Sequence, residues 1–177
     1  MTNGNGIKVK KRSGAVEALN LDKIHKMVEE ACEGLGSGVS ASQVEMNSGL
    51  QFFDGIETKD IQEILVRSAS DLISLDNPNY QFVAARLLLY SLRKTVIGKL
   101  WDHPHIYDHV KKCIDKKVYD PEILNWYDKK DFDRMENWIN HERDYTFTYA
   151  GLRQVIDKYL VQDRSNGEIY ETPQFMY

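Results

Sequence analysis

Near the start of the chain, Lys8-Val9-Lys10-Lys11-Arg12 gathers four cations into one short stretch. A local basic cluster of this kind can hold a small polyanion. The plainer use of the same residues is a solvated edge strand, because lysines protect exposed strand edges from further pairing, and composition alone favours that use. His103, His105 and His109 raise the possibility of a metal site. The last two stand one helical turn apart, so both imidazoles could reach one ion. Pro104, however, is expected at the first position of a helix, and the spacing implies no third ligand. His141-Glu142-Arg143-Asp144 lacks the second histidine, four residues after the first, that a zinc-protease motif needs. In Gly34-Leu35-Gly36-Ser37-Gly38 the third glycine of a dinucleotide loop would fall at Val39, and the stretch follows a helix rather than a strand. It reads as a helix stop and linker. Gly98-Lys99 is followed by Leu100 and lacks the upstream glycine of a phosphate-binding loop. Cys32 and Cys113 are too few for a disulfide framework or a four-cysteine metal site. Cys32 reads as a small core residue, and nothing has the form of a nucleophile beside its base.

The elements that must carry these residues follow from composition and periodicity. The 177 residues, 42% hydrophobic and 28% charged, suit one ordinary globular domain or two small ones. A net charge of −4 and a pI near 5.7 argue against a dedicated nucleic-acid binder. The longest apolar run, around Leu87–Tyr90, falls far short of the roughly 18 residues that a membrane span requires. Met1–Gly6 lacks the basic-then-apolar pattern of a secretory signal. A cytoplasmic protein that engages neither membrane nor nucleic acid is expected.

Ile7 and Val9 alternate with lysines, Ser13-Gly14 supplies a turn, and Val16 and Leu19 continue the alternation, which predicts a hairpin. Asn20 is placed to cap a first helix bearing Leu21, Ile24, Val28 and Ala31 on one face and ending at Gly34. Ser40 and Gln43 have capping-box spacing for a second helix carrying Val44 and Leu50. Asp54-Gly55 turns the chain, and Thr58 is expected to cap a third helix with Ile61, Leu65, Ala69 and Leu72 inward. Asp76-Asn77-Pro78-Asn79 interrupts, and a fourth helix runs from about Tyr80 to Val96 with Val83, Leu87 and Tyr90 inward. It ends in Arg93-Lys94, which suit a helix C-terminus.

Beyond a boundary at Gly98–Pro104 come amphipathic segments at Ile106–Val118, Pro121–Tyr127, Asp131–Ile139 and Thr148–Leu160. Trp126, Phe132, Trp138, Phe147, Tyr149 and Tyr159 are expected to fill a second helical layer. Asn166-Gly167 predicts a hairpin turn between Val161-Gln162 and Ile169-Tyr170. Thr172-Pro173 is a helix start, yet the sequence stops at Tyr177. That combination suggests a larger structure cut short, with Phe175–Tyr177 either disordered or docked on a partner polypeptide.

Val9–Glu17 followed by Asn20-Leu21-Asp22-Lys23-Ile24 resembles the opening of an ATP-cone domain. Asp54–Ile61 and Tyr80–Leu87 resemble its later signatures. Ile106–Val110, Lys117–Asp120, His141–Asp144, Lys158–Val161 and Gly167–Phe175 narrow the match. Together they resemble the N-terminal region of the class I ribonucleotide reductase large subunit, of the bacterial and T-even phage type, from about Ile7 to Tyr177. The resemblance implies a mainly α fold, with an ATP cone of a short β-hairpin plus four-helix bundle over residues 1–99. A helical segment with a β-hairpin near the C-terminus would follow over 100–177, leading toward a catalytic barrel that must come from another polypeptide or was truncated. Neither cysteine falls in a catalytic motif of that family, so the resemblance implies a component of the enzyme that is not catalytic alone.

The resemblance further implies an effector site for ATP, activating, or dATP, inhibiting, with Mg2+, controlling deoxyribonucleotide synthesis. Lys11, Arg12, Lys23 and Lys94 would hold the phosphates, with Arg93 a neighbour. Glu17 and Asn20 would meet base and sugar, Leu19 and Ile24 would line the adenine face, and Thr58 and Tyr90 would complete the pocket. The plainer roles of Thr58 and Tyr90 are helix cap and core residue respectively, and for Tyr90 the two roles weigh nearly the same. Gln62, where family members can carry histidine, would stand near the sugar and influence the choice between ATP and dATP. Implied partners are the catalytic part of the large subunit, the radical-generating small subunit and other large subunits. An ATP-cone transcription regulator would need a zinc ribbon of four paired cysteines, which the two isolated ones cannot supply. A helical subunit-interaction module with a non-binding cone stays open beside the regulatory reading.

Overall fold

The structure is a computed structural model that describes residues 6–49 and 52–177. Met1–Asn5, most of the stretch read for a secretory signal, and Leu50, expected on the second helix, lie outside the described residues, as does Gln51. The chain is mainly helical and divides into two units. One runs to Ser91 and takes in Tyr145–Leu152, and the other comprises Leu92–Asp144 and Arg153–Tyr177. Among the described residues no helix is long and apolar enough to cross a membrane.

In the first unit, β1 (Lys8–Lys10) and β2 (Val16–Ala18) form the expected antiparallel hairpin, with Val9 opposite Glu17. Gly14 closes its turn at φ +84°, a conformation that strains any side chain, by donating its N–H to the Lys11 carbonyl at 2.8 Å. α1 (Leu21–Cys32) is capped by Asn20 as expected, and buries Val28 and Ala31 while Leu21 at its start stays exposed. Before α2 (Ala41–Gly49) the expected capping box is interrupted by a tyrosine. Ser40 donates its N–H to the Tyr80 hydroxyl at 3.0 Å, and that hydroxyl donates to Gln43 Oε1 at 2.5 Å.

A third, unexpected strand, β3 (Ile56–Glu57), pairs parallel with β1. The Asp54-Gly55 turn fixes this pairing. Lys8 donates its N–H to Asp54 Oδ1 at 2.7 Å, and Gly55 donates to the Lys8 carbonyl at 2.8 Å. The sheet order is β2-β1-β3, so β1 is central and the edge-strand expectation is overturned. α3 (Thr58–Asp71) has Glu57 at its cap position, which makes Thr58 the first helical residue rather than the cap. Ile61, Leu65 and Ala69 of α3 are buried, as are Val83, Leu87 and Tyr90 of α4 (Tyr80–Val96). Arg86 of α4 donates to the carbonyls of Ala31 at 3.1 Å and Glu33 at 2.6 Å, satisfying the open C-terminal end of α1.

The second unit contains α5 (Ile106–Asp115), α6 (Ile123–Trp126) and α7 (Lys129–Glu136). A 3-10 helix at His141–Thr146 and α8 (Tyr149–Lys158) each contribute residues to both units. β4 (Gln162–Asp163) and β5 (Glu168–Ile169) pair across the Asn166-Gly167 turn, and α9 (Pro173–Met176) follows. Pro104 lies ahead of α5 rather than at its first position. His105 is the cap, its Nδ1 accepting the Tyr107 N–H at 3.2 Å. His103 stacks on His141 with ring centres 3.6 Å apart, while His109 stacks on Phe175 at 4.1 Å. The three histidines therefore serve three different contacts. Among the described residues no group of three or more His, Cys, Asp or Glu is placed to hold a metal.

Three further expectations for this unit fail. Phe132 is buried, but Trp126, Trp138 and Tyr159 are exposed, because α6 is a single turn and Trp138 lies past the end of α7. The Thr172-Pro173 start does open a helix, yet Phe175 is neither disordered nor left for a partner. It is 8% exposed and touches His109 and His141, whereas Tyr177 projects outward. Gln174 anchors the segment, donating to Asp144 Oδ1 at 2.9 Å and accepting the Asn140 N–H at 3.2 Å. Arg93 is 1% exposed and turns to the His141 carbonyl at 2.8 Å and the Asp144 carboxylate at 3.5 Å, so it is not the phosphate neighbour that was expected.

Burial favours the neutral form of the histidines around this pair. The His109 imidazole is pushed down to about 4 by burial, with Lys112 adding to it. His103 is pushed down to about 4 by burial, then by His141 and Arg93, and His141 is lowered chiefly by burial. An unfolded imidazole titrates near 6.5, so between about pH 6.5 and 4 the unfolded chain takes up protons that the folded chain refuses. Stability should therefore fall as pH drops through that window, by about 3 kcal/mol for His109 alone. His25, in the first unit, is raised by Glu45 and then Glu29, but it is exposed and opposes this only weakly. Urea midpoints measured from pH 7 to 4.5 should decline, and His109→Gln should flatten the decline. A midpoint indifferent to pH would contradict the assignment.

Candidate functional site

Lys11 and Arg12 occupy the β1–β2 turn, and their side chains part. Lys11 Nζ meets Glu17 of β2 at 2.7 Å. The Glu17 carboxyl lies below its ordinary value, first through the Lys11 hydrogen bond and then through the Lys11 and Lys23 charges. Arg12 reaches instead to α3 and α4, where its Nη2 donates to Gln62 Oε1 at 3.0 Å and to Ser91 Oγ at 3.4 Å. Partial burial lowers the guanidinium, with Glu63 opposing, but arginine remains a cation.

The start of α1 supplies the next group. Asn20 Oδ1 accepts the Lys23 N–H at 2.9 Å, fixing these two residues together at the positive end of the helix dipole. Lys23 Nζ makes no hydrogen bond or ion pair among the described residues. Leu19, half-buried, donates its N–H to the Ile7 carbonyl at 2.9 Å, and Ile24 is half-buried on the next turn. Thr58 is half-buried at the start of α3, and Gln62, one turn on, is 6% exposed. Tyr90 is a core residue with its ring edge against Tyr145 at 6.3 Å, and burial is the main reason its phenol is raised. Lys94 lies on the last turn of α4, within the second unit.

The contacts thus join Lys11 to Glu17, Asn20 to Lys23, and Arg12 to Gln62. Ser91 was missed from sequence, although a lone hydroxyl between the buried Tyr90 and Leu92 was a usable signal. A cleft of about 500 Å³ lies elsewhere in the unit, lined by Lys26, Glu29, Glu30, Cys32, Glu33 and Ala41. Its three carboxylates repel a polyanion, and burial raises the Cys32 thiol to about 11, which leaves it unreactive at neutral pH.

Residues 7–95 match the ATP cone domain family, a span that includes the turn, α1, α3 and nearly all of α4. The chain is 50% identical over 169 residues to the ribonucleoside-diphosphate reductase subunit alpha of Haemophilus influenzae. It is 49% identical over 169 residues to the ribonucleoside-diphosphate reductase 1 subunit alpha of Escherichia coli, and each alignment covers 96% of this chain. The corresponding subunit of Enterobacteria phage T4 is 41% identical over 171 residues, covering 97% of the chain. The chain spans 22% of the length of each of these relatives. It belongs to the ATP cone family, and it corresponds to the N-terminal region of ribonucleoside-diphosphate reductase alpha subunits.

Proposed function

We propose that the chain is the allosteric portion of a cytoplasmic ribonucleoside-diphosphate reductase, its cone binding ATP to activate and dATP to inhibit. The observation that carries this reading is the match of residues 7–95 to the ATP cone domain family, with Lys11 and Arg12 on the hairpin turn and Lys23 on the first turn of α1, its Nζ in no hydrogen bond or ion pair among the described residues. A triphosphate needs several such cations, each charge-assisted bond contributing about 1.5–3 kcal/mol. Glu17 and Asn20 would contact base and sugar, Leu19 and Ile24 would line the adenine face, and Thr58, Gln62 and Tyr90 would bound the pocket.

Mg2+ would arrive with the phosphates and draw few ligands from the protein, since such ions keep several waters. Glu17, the carboxylate beside Lys11, is already held by it. Reduction of the ribonucleotide would belong to the catalytic part of the large subunit working with a radical-generating small subunit. Burial is the leading cause that raises both Cys32 and Cys113, which suits neither to thiolate chemistry. Switching by ATP and dATP requires a coupling free energy, typically about 1–3 kcal/mol, between the cone and an assembly interface. Equilibrium titration with ATP and dATP tests the reading at its base, for the two should bind and displace each other.

A further inference from the structure

Arg12 is held from one side only. Its Nη2 donates to Gln62 Oε1 at 3.0 Å and to Ser91 Oγ at 3.4 Å, while Nη1 and Nε make no hydrogen bond among the described residues. Gln62 is itself confined, being 6% exposed with its Nε2 4.0 Å from the Met27 sulfur on α1. The amide orientation follows from chemistry, because a guanidinium is only a donor and must face the oxygen. A guanidinium is also rigid and planar, so anchoring one terminal nitrogen fixes the direction of the other, Nη1.

We propose that Gln62 and Ser91 are positioning residues for Arg12, holding Nη2 of its guanidinium so that the Nη1 donors are presented to a phosphate of the bound nucleotide. The proposal rests on the nucleotide reading above and changes the part played by Gln62. An amide oxygen already engaged by a cation is not available to accept from a ribose hydroxyl, so Gln62 acts on the phosphates, which ATP and dATP share. Preorganisation of this kind strengthens binding by removing the entropy of ordering a long side chain at the moment of contact.

A double-mutant cycle on the 177-residue chain, read by calorimetric titration with ATP and dATP, tests the assignment. Gln62→Met keeps the volume of the buried side chain and removes its polar atoms, and Ser91→Ala removes only the hydroxyl. Gln62→Met should weaken both nucleotides about tenfold and Ser91→Ala about threefold, with the ATP-to-dATP ratio unchanged within twofold. In an Arg12→Ala background the Gln62→Met loss should shrink below about twofold, a coupling that a purely structural glutamine would not produce. The proposal is overturned if Gln62→Met shifts the ratio, or if its loss persists undiminished without Arg12. Should the parent chain bind neither nucleotide, the nucleotide reading fails and this proposal fails with it. Binding by the parent with additive losses in the cycle removes the proposal alone.

Discussion

Lys23→Ala should weaken ATP and dATP alike, by about ten- to a hundredfold each, the loss of one charge-assisted phosphate contact. The side chain leaves the first turn of α1, where the helix dipole already favours an anion. Its ammonium makes no hydrogen bond or ion pair among the described residues, so removal leaves no buried group unpaired. The helix should survive the change. Asn20 caps α1 through the backbone N–H of Lys23, which alanine retains, and alanine is the better helix former. Because the lysine would touch phosphate rather than ribose, the ratio of the two affinities should stay within about twofold of the parent's. Parallel titrations decide it. A variant that binds both nucleotides like the parent would remove Lys23, and with it the start of α1, from the site.

Arg93→Ala should destabilise the second unit by about 3–5 kcal/mol, the usual result of leaving half of a buried ion pair behind. Arg93 and Asp144 are 1% and 0% exposed in their side chains and stand 3.5 Å apart. Burial raises the Asp144 carboxyl, and the Gln174 hydrogen bond and the Arg93 charge hold it down. Without Arg93 the carboxylate must either take up a proton or remain buried and unpaired. The His141 carbonyl, which accepts from Arg93 at 2.8 Å, loses its donor as well. Arg93→Met, which restores most of the volume, should lose nearly as much as Arg93→Ala, separating charge from packing. Urea unfolding gives the size of the loss. Faster amide exchange at Thr172–Met176 should locate it, since Gln174 is tied to the same carboxylate. A midpoint unmoved in both variants would mean that the pair contributes nothing.

The features legible from sequence were those written in local chemistry. Asn20 caps α1, Gly14 and Asn166-Gly167 turn their hairpins, and α4 spans Tyr80–Val96, because each depends on residues close together in the chain. Long-range pairing was not legible. β3 is two residues long, too short to show a period, and its parallel partner lies 47 residues earlier, Val9 against Ile56. The Tyr80 hydroxyl that intervenes between Ser40 and Gln43 is likewise distant in sequence. Arg93 carried a misleading signal, since a cation in the last turn of a helix suits the dipole, and only the tertiary position of Asp144 explains its burial. Phe175 was misjudged for the same reason, for nothing local announces the rings of His109 and His141. Within the candidate site, the cations and Asn20 came from the family motif, whereas the link from Arg12 to Gln62 and Ser91 required three elements in place.

Calorimetric titration of the unmodified chain with ATP and with dATP, in the presence of Mg2+, measures most directly whether this cone is an effector site. Saturable heats should be seen for both nucleotides, with prior saturation by one abolishing the heat of the other. Absence of binding to either nucleotide would contradict the regulatory role and leave a helical interaction module whose cone binds no nucleotide.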